Sequence, residues 1–216
     1  MLEVLICLVG VFTLLVIDEI LVHAKILKAE YRRKFAHIAV GAFVASWPWL
    51  IGWRTIQLIS VLMLVVVVFN QYNPIFKFNK SLNRRSYGDY FFAIAILACS
   101  ILTTSNLFFA LAILHLSLAD GLAALVGKNF GRKWKYKIFN QTKTVVGSMT
   151  FWIVSLLILG IGLLFGNGLI VYGDYVVLVI VLPPILTVFE NISVYGLDNL
   201  VVPIAVILAL GIAQSG

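Results

Sequence analysis

The stretch His115–Ser148, HLSLADGLAALVGKNFGRKWKYKIFNQTKTVVGS, joins a carboxylate inside an apolar run to a basic loop that contains glycines. Its first part is apolar enough for a membrane helix and carries Asp120, and a second apolar run starts at Val145. Ionisable residues are costly inside a membrane span and usually mark a functional site. A carboxylate beside a cationic loop suits a metal-bound polyphosphate. We therefore interpret Asp120 as functional, against the alternative of one isolated acidic residue followed by an ordinary basic loop.

The composition excludes an ordinary soluble domain. Of the 216 residues, 62% are hydrophobic and 12% are charged, whereas charged residues make up about a quarter of a typical soluble domain. The mean hydropathy is +1.06. The two cysteines, Cys7 and Cys99, both lie in apolar runs, so the sequence has neither a disulfide framework nor zinc-type spacing.

The predicted fold is an all-α polytopic membrane bundle, with residues 1–216 forming a single domain. A helix needs about 20 apolar residues to cross a bilayer. On that basis the sequence contains about eight (seven to eight) transmembrane helices, the first of them retained and not cleaved as a signal. The predicted spans are 2–22, 35–51, 55–70, 89–105, 107–127, 145–166, 170–189 and 199–214.

The basic residues predict the orientation. Fifteen of the sixteen Lys and Arg residues fall in loops on one side of the predicted bundle, and only Arg54 falls on the other. The positive-inside rule assigns those loops to the cytoplasm and both termini to the outside. The net charge of +7 therefore reflects membrane topology, and nucleic acid is not an expected partner.

Acidic residues gather on the same predicted side. Asp120 lies within the fifth span, and Glu190 and Asp198 flank the last cytoplasmic turn. Mg²⁺ takes oxygen ligands and usually keeps phosphates and waters in its shell. We predict that these three carboxylates hold a divalent cation, Mg²⁺, at an active site on the cytoplasmic face. The alternative for Asp198, that it only caps the last helix, is compatible with metal binding.

Two basic motifs face the same side. Arg33, Lys34 and His37 share one helical face at the start of the second span. They indicate phosphate contact or proton handling, or alternatively an interfacial anchor. Arg85 belongs to an arginine pair before the fourth span, and such pairs suit bidentate phosphate contact.

The basic loop of the opening stretch supplies further phosphate candidates. Gly131 offers a backbone N–H group, and Thr144 and Ser148 offer hydroxyls where the sixth span begins. The cationic candidates in this loop are Lys128, Arg132, Lys133 and Lys143. The spacing of these residues matches neither a Walker A loop nor a dinucleotide-binding fingerprint.

Taken in order, these blocks resemble the CTP-dependent lipid kinases: dolichol (polyprenol) kinase, phytol kinase and CTP-dependent diacylglycerol kinase. The blocks are RKFAH at 33–37, RRSYGD at 84–89, ADGLAALVGKNFGRK at 119–133, KTVVGS at 143–148, Glu190, and DNLVVP at 198–203. The chain departs from the family pattern at Val146, where the family usually has Glu.

The resemblance implies a membrane kinase that transfers the γ-phosphate of CTP to the hydroxyl of a lipid. The acceptor would be polyprenol or dolichol, phytol, geranylgeraniol or diacylglycerol. CTP, the lipid alcohol and the bilayer are then the expected partners, and an oligomer stays open. The phosphates would contact the basic residues and hydroxyls named above. Either Asp120 or His37 would orient or deprotonate the lipid hydroxyl, and the sequence does not choose between them.

Two other functions stay open at this stage. A lipid cytidylyltransferase of the CDP-diacylglycerol synthase type also uses CTP, but its signature is absent from the sequence. A transporter would also keep Asp and His within the membrane. It would not need acidic and basic groups converging on one face, and the sequence contains no inverted repeat.

Overall fold

The structure is a computed structural model that describes residues 2–25, 29–72, 87–139, 141–166 and 168–215. The predicted phosphate contact at Arg85 lies outside these residues. In the described part the chain is helical apart from short connections and one small hairpin. A helix satisfies its own backbone hydrogen bonds, which is what a chain surrounded by lipid requires.

The helices follow the apolar runs. Their bounds are α1 Leu2–His23, α2 Ala29–Ala45, α3 Trp53–Tyr72, α4 Gly88–Leu102, α5 Asn106–Leu114, α6 Asp120–Phe130, α7 Val145–Gly162, α8 Tyr172–Ile192 and α9 Asp198–Ser215. A π-helical segment, His115–Ala119, joins α5 to α6 without a break. Short 3₁₀ turns follow α2 at Trp47–Trp49 and α7 at Leu163–Phe165.

The all-α prediction is confirmed, and the apolar helices are those of a membrane protein. Among the described residues, four segments are long and apolar enough to cross a bilayer: Leu2–His23, Asn106–Phe130, Val145–Phe165 and Tyr172–Ile192. Three shorter apolar helices accompany them: Trp53–Phe69, Gly88–Leu102 and Asp198–Gln214. The count of about eight spans therefore stays a prediction.

The predicted second span differs most from the observed helix. We expected residues 35–51, whereas α2 runs from Ala29 to Ala45. Its end has a local cause, because Pro48 lacks the N–H group that would continue the α-helix, and the chain passes into the 3₁₀ turn Trp47–Trp49. Because α2 begins at Ala29, Arg33 and Lys34 lie within the helix and not in a loop before it.

The central element is the continuous helix formed by α5, the π segment and α6, the most buried of the four long segments. Phe108 and Phe109 are fully buried on α5, and the Ser105 hydroxyl caps that helix by accepting from Phe108 N. Helices α2, α7 and α9 pack around it. By contrast, α1 and α3 expose many apolar side chains, such as Phe12 and Leu62, as expected of surfaces that face lipid.

The basic loop contains a hairpin that the sequence analysis did not predict. Strands β1 (Lys135–Ile138) and β2 (Gln141–Thr144) pair antiparallel, with Tyr136 opposite Lys143. Residues directly opposite in an antiparallel pair share a face, and successive residues alternate between faces. Tyr136 and Lys143 therefore point to one side of the hairpin, and Lys135 and Lys137 point to the other.

We expect the hairpin and the start of α8 to lie on opposite sides of the membrane. Single cysteines introduced as Lys137→Cys and Tyr172→Cys test this, because both sites are exposed. The native cysteines are both buried and should give little background labelling. In intact cells an impermeant thiol reagent should label position 172 and spare position 137 until the membrane is opened. Labelling of position 137 from outside would contradict the predicted orientation.

Candidate active site

Three carboxylates that are distant in sequence meet at one end of the bundle. Asp120, Glu190 and Asp198 each offer an oxygen, and these oxygens lie within 4.8 Å of one another. They come from α6, α8 and α9, so the site exists only when the three helices are packed together. The structure therefore brings together the three residues predicted as metal ligands.

Local geometry places each of the three. Asp120 directly follows the π segment, and its N–H donates to the carbonyl of His115, five residues back. Such π-helical turns are frequent at functional sites. Glu190 lies in the last turn of α8, and Asp198 is the first residue of α9. The two elements are thus joined by a short turn at the site.

That turn depends on a glycine. Gly196 has a φ of 92°, and a Cβ atom there would lie 2.8 Å from the Cα of Gly88. Any other residue at position 196 would be strained by both its backbone and its contact. The Asn199 side chain, one residue after Asp198, donates to the Gly88 carbonyl at 3.0 Å. The start of α4 therefore braces the turn that carries Asp198.

Helix α2 brings Lys34 and His37 to Asp120. Lys34 Nζ lies 2.6 Å from Asp120 Oδ2, and His37 Nε2 lies 3.6 Å from the same oxygen. His37 Nε2 is closer to the Leu116 carbonyl, at 3.0 Å. Since a carbonyl only accepts hydrogen bonds, this contact places a proton on His37 Nε2.

The hairpin contributes the second lysine. Lys143 Nζ lies 2.5 Å from Glu190 Oε1 and 3.0 Å from the Glu190 carbonyl. Burial alone would lower the pKa of Lys143, but the carboxylates of Glu190, Asp198 and Asp120 raise it above its ordinary value. Lys143 is therefore a charged ammonium group within the acidic cluster.

The third carboxylate has an open position. Asp198 Oδ1 is buried and has no hydrogen-bond partner among the described residues. Two lysines face three carboxylates at this site, because Lys34 pairs with Asp120 and Lys143 pairs with Glu190. A buried acceptor without a partner is costly, so the site favours a further cation.

Two residues in the same network were missed by the sequence analysis. The Tyr136 hydroxyl lies 2.5 Å from Ser148 Oγ and donates to Asn191 Oδ1 at 2.8 Å. Ser148 Oγ also donates to Asn191 Oδ1, at 2.8 Å. This closed triangle ties the hairpin to α7 and α8 beside the Lys143–Glu190 pair. The sequence signal for Tyr136 was the alternation of lysine with Tyr and Ile in KYKI, and Asn191 had only its place next to Glu190.

The remaining phosphate candidates of this loop have local roles in the structure. Thr144 caps α7 by accepting from Gly147 N at 3.0 Å, and the Gly131 N–H donates to the Gly127 carbonyl at 2.9 Å. Gly127 must lack a side chain, because a Cβ atom there would lie 2.6 Å from Thr144 Oγ1. These contacts hold α6 against the start of α7. Phosphate binding by Gly131, Thr144 and Ser148 stays a prediction.

The other basic candidates are exposed or half-buried. Lys128, Arg132 and Lys133 are exposed, with Lys128 Nζ 5.2 Å from the Tyr31 ring centroid. Arg33 is half-buried, and its Nε has no hydrogen-bond partner among the residues described. Arg32, the neighbour of Arg33, instead pairs with Asp18 at 2.8 Å and joins α1 to α2.

The chain is also similar to a characterised kinase. The chain is 31% identical over 195 residues to the phytol kinase of Synechocystis sp., in an alignment that covers 86% of this chain and 80% of that kinase. The chain belongs to the polyprenol and phytol kinase family. This confirms the resemblance drawn from the sequence blocks. No protein-family model and no solved structure matches the chain.

Proposed function

We propose that this member of the polyprenol and phytol kinase family is a CTP-dependent lipid-alcohol kinase. The observation that carries the proposal is the convergence of Asp120, Glu190 and Asp198 with two half-buried lysines, Lys34 and Lys143. Phosphoryl transfer depends mostly on positioning and charge neutralisation, which such a site supplies. The acceptor belongs to the class of polyprenol, dolichol, phytol, geranylgeraniol or diacylglycerol.

The cluster fits a divalent cation of the Mg²⁺ type. All three of its carboxylates offer oxygen, the ligand that Mg²⁺ prefers, and Asp198 Oδ1 is buried without a partner among the described residues. We propose Asp120, Glu190 and Asp198 as the residues that hold it. Bound there, the cation would neutralise charge on the nucleotide phosphates.

The other groups divide between the two substrates. Lys143 and Lys34 are charged side chains at the carboxylates, and together with the half-buried Arg33 we assign them to the CTP phosphates. Asp120 is our choice for orienting the lipid hydroxyl and accepting its proton. His37 is less suited to that role because its Nε2 already donates to the Leu116 carbonyl. The exposed cations Lys128, Arg132 and Lys133 would then guide CTP to the site.

We propose that the protein crosses the membrane several times, with this site at the cytoplasmic face. Glu190 lies in the last turn of α8 and Asp198 is the first residue of α9, so we place the cluster at one end of these helices, where a water-soluble nucleotide would have access. The apolar tail of the alcohol would stay in the bilayer while its hydroxyl reaches Asp120. This placement brings a soluble donor and a lipid acceptor to one point.

The donor and the reaction type are tested together. Purified protein is given CTP or ATP labelled on the γ-phosphate, with Mg²⁺ and a panel of phytol, polyprenol, diacylglycerol and, as a lipid phosphate, phosphatidic acid. We expect label in the lipid product with CTP, release of CDP, and little transfer from ATP. Loss of activity in excess EDTA is expected as well. A preference for ATP would contradict CTP dependence, and release of pyrophosphate would indicate a cytidylyltransferase instead.

A further inference from the structure

We propose that the outer surface of the β1–β2 hairpin binds anionic lipid headgroups of the bilayer that surrounds the protein. We define this outer hairpin surface by Trp134, Lys135, Lys137 and Phe139. It lies outside the apolar helices, in the connection between α6 and α7. It is separate from the groups assigned to CTP and to the divalent cation.

The aromatic residues of this surface are unusually exposed. Trp134, at the base of the hairpin, is 68% exposed, and Phe139, in its turn, is 75% exposed. The strand between them spans about 13 Å at 3.3 Å per residue. Tryptophan prefers the boundary between lipid and water, where its apolar ring and its N–H group are both accommodated. A hairpin lying along the headgroups would place both of its ends at that boundary.

The charge of the segment selects the kind of lipid. Lys135 and Lys137 are exposed on the strand between the two aromatic residues. No Asp or Glu occurs from residue 121 to residue 173, so nothing in the neighbouring sequence offsets these lysines. Basic residues combined with aromatic ones are typical of segments that bind an anionic membrane surface.

The opposite face of the hairpin is already occupied, which separates this surface from the nucleotide site. Tyr136 contacts Ser148 and Asn191, and Lys143 contacts Glu190. Lys135 and Lys137 point the other way, because neighbouring residues of a strand alternate. A nucleotide bound at the carboxylates is therefore on the wrong side of the hairpin to neutralise them. The bilayer surface is the polyanion that a membrane protein always has beside it.

Lipid contact at Trp134 is measurable without any turnover. The full chain is reconstituted in phosphatidylcholine vesicles that contain phosphatidylglycerol, with bromine on the acyl chains of one lipid or the other. The emission of Trp134 is taken as the difference between the parent and Trp134→Phe. We expect quenching by both brominated lipids, with brominated phosphatidylglycerol more effective at equal mole fraction. The local enrichment should be about fivefold for each lysine engaged, and it should fall as salt is raised.

The matched variants decide the outcome. Lys135→Gln/Lys137→Gln should reduce the preference for phosphatidylglycerol to near unity, while Arg54→Gln, at an exposed site in the first turn of α3, should leave it unchanged. Trp134 emission that neither lipid quenches would overturn the proposal and assign the surface to a soluble partner. Equal quenching by both lipids in the parent would leave a hydrophobic contact without the proposed headgroup recognition. Because the quenching of Trp134 emission does not depend on phosphorylation, failure of this lipid-binding proposal is distinct from failure of the kinase assignment.

Discussion

Asp120→Asn is expected to fold and insert like the parent while its turnover in lipid phosphorylation falls by at least about 10²-fold. That is the scale of loss when a group that stabilises charge in the transition state is removed. Asparagine keeps the shape and an accepting oxygen but removes the negative charge. Asp120 is the carboxylate that both Lys34 and His37 approach, and it belongs to the cluster with Glu190 and Asp198. Its charge should therefore matter to both substrates.

The stability of Asp120→Asn should stay near that of the parent, for two opposing reasons. Lys34 loses its partner carboxylate at 2.6 Å, which destabilises the fold. Repulsion among three carboxylates within 4.8 Å is relieved, which stabilises it. Thermal unfolding in detergent, measured beside lipid phosphorylation, separates an effect of the substitution on stability from an effect on catalysis.

Asp174→Asn is the matched control for this variant. Asp174 lies in the first turn of α8, about 24 Å along the helix from Glu190 at 1.5 Å per residue. It should retain parental activity. Equal losses in the two variants, or near-parental turnover in Asp120→Asn, would end the case for Asp120 as a catalytic residue.

The parts of the site that the sequence predicted are those with a strong chemical signal. A carboxylate in an apolar run is costly enough to stand out, which is why Asp120 was predicted as functional. Glu190 and Asp198 were predicted as metal ligands because they fall on the same predicted side of the membrane as Asp120. The structure places their oxygens beside those of Asp120. The helices themselves followed from apolar runs of membrane length.

The features that the sequence did not predict depend on contacts between distant segments. A π-helical turn has no composition of its own, so the segment before Asp120 was expected to be ordinary helix. The hairpin is rich in lysine, which disfavours strands, and it forms because Tyr136 and Lys143 find partners on α7 and α8. Arg32 lay beside Arg33 in a basic motif, yet only packing shows that it pairs with Asp18.

Lys143→Met is expected to be both unstable and inactive. Lys143 and Glu190 form a mostly buried pair, with their side chains 18% and 8% exposed. Removing one partner of a buried pair leaves an uncompensated charge and costs about 3 kcal/mol or more. Here the cost is increased by Asp120 and Asp198, whose carboxylates stand beside the abandoned Glu190. Activity should fall at least about 10²-fold, since a cation assigned to the CTP phosphates is lost.

The double variant Lys143→Met/Glu190→Gln separates stability from catalysis. It removes both charges, and replacing both partners of a buried pair by neutral groups is often close to neutral in stability. We expect unfolding in detergent near the parental temperature, while lipid phosphorylation stays at the level of Lys143→Met. Arg54→Met, at an exposed basic residue in the first turn of α3, is the control for simple loss of positive charge and should change neither the unfolding temperature nor the activity. Recovered activity in the double variant would show that Lys143 and Glu190 only hold the hairpin against α8. The CTP phosphates and the cation would then depend on the other groups assigned to them, and Lys143 and Glu190 would be removed from the proposed binding residues.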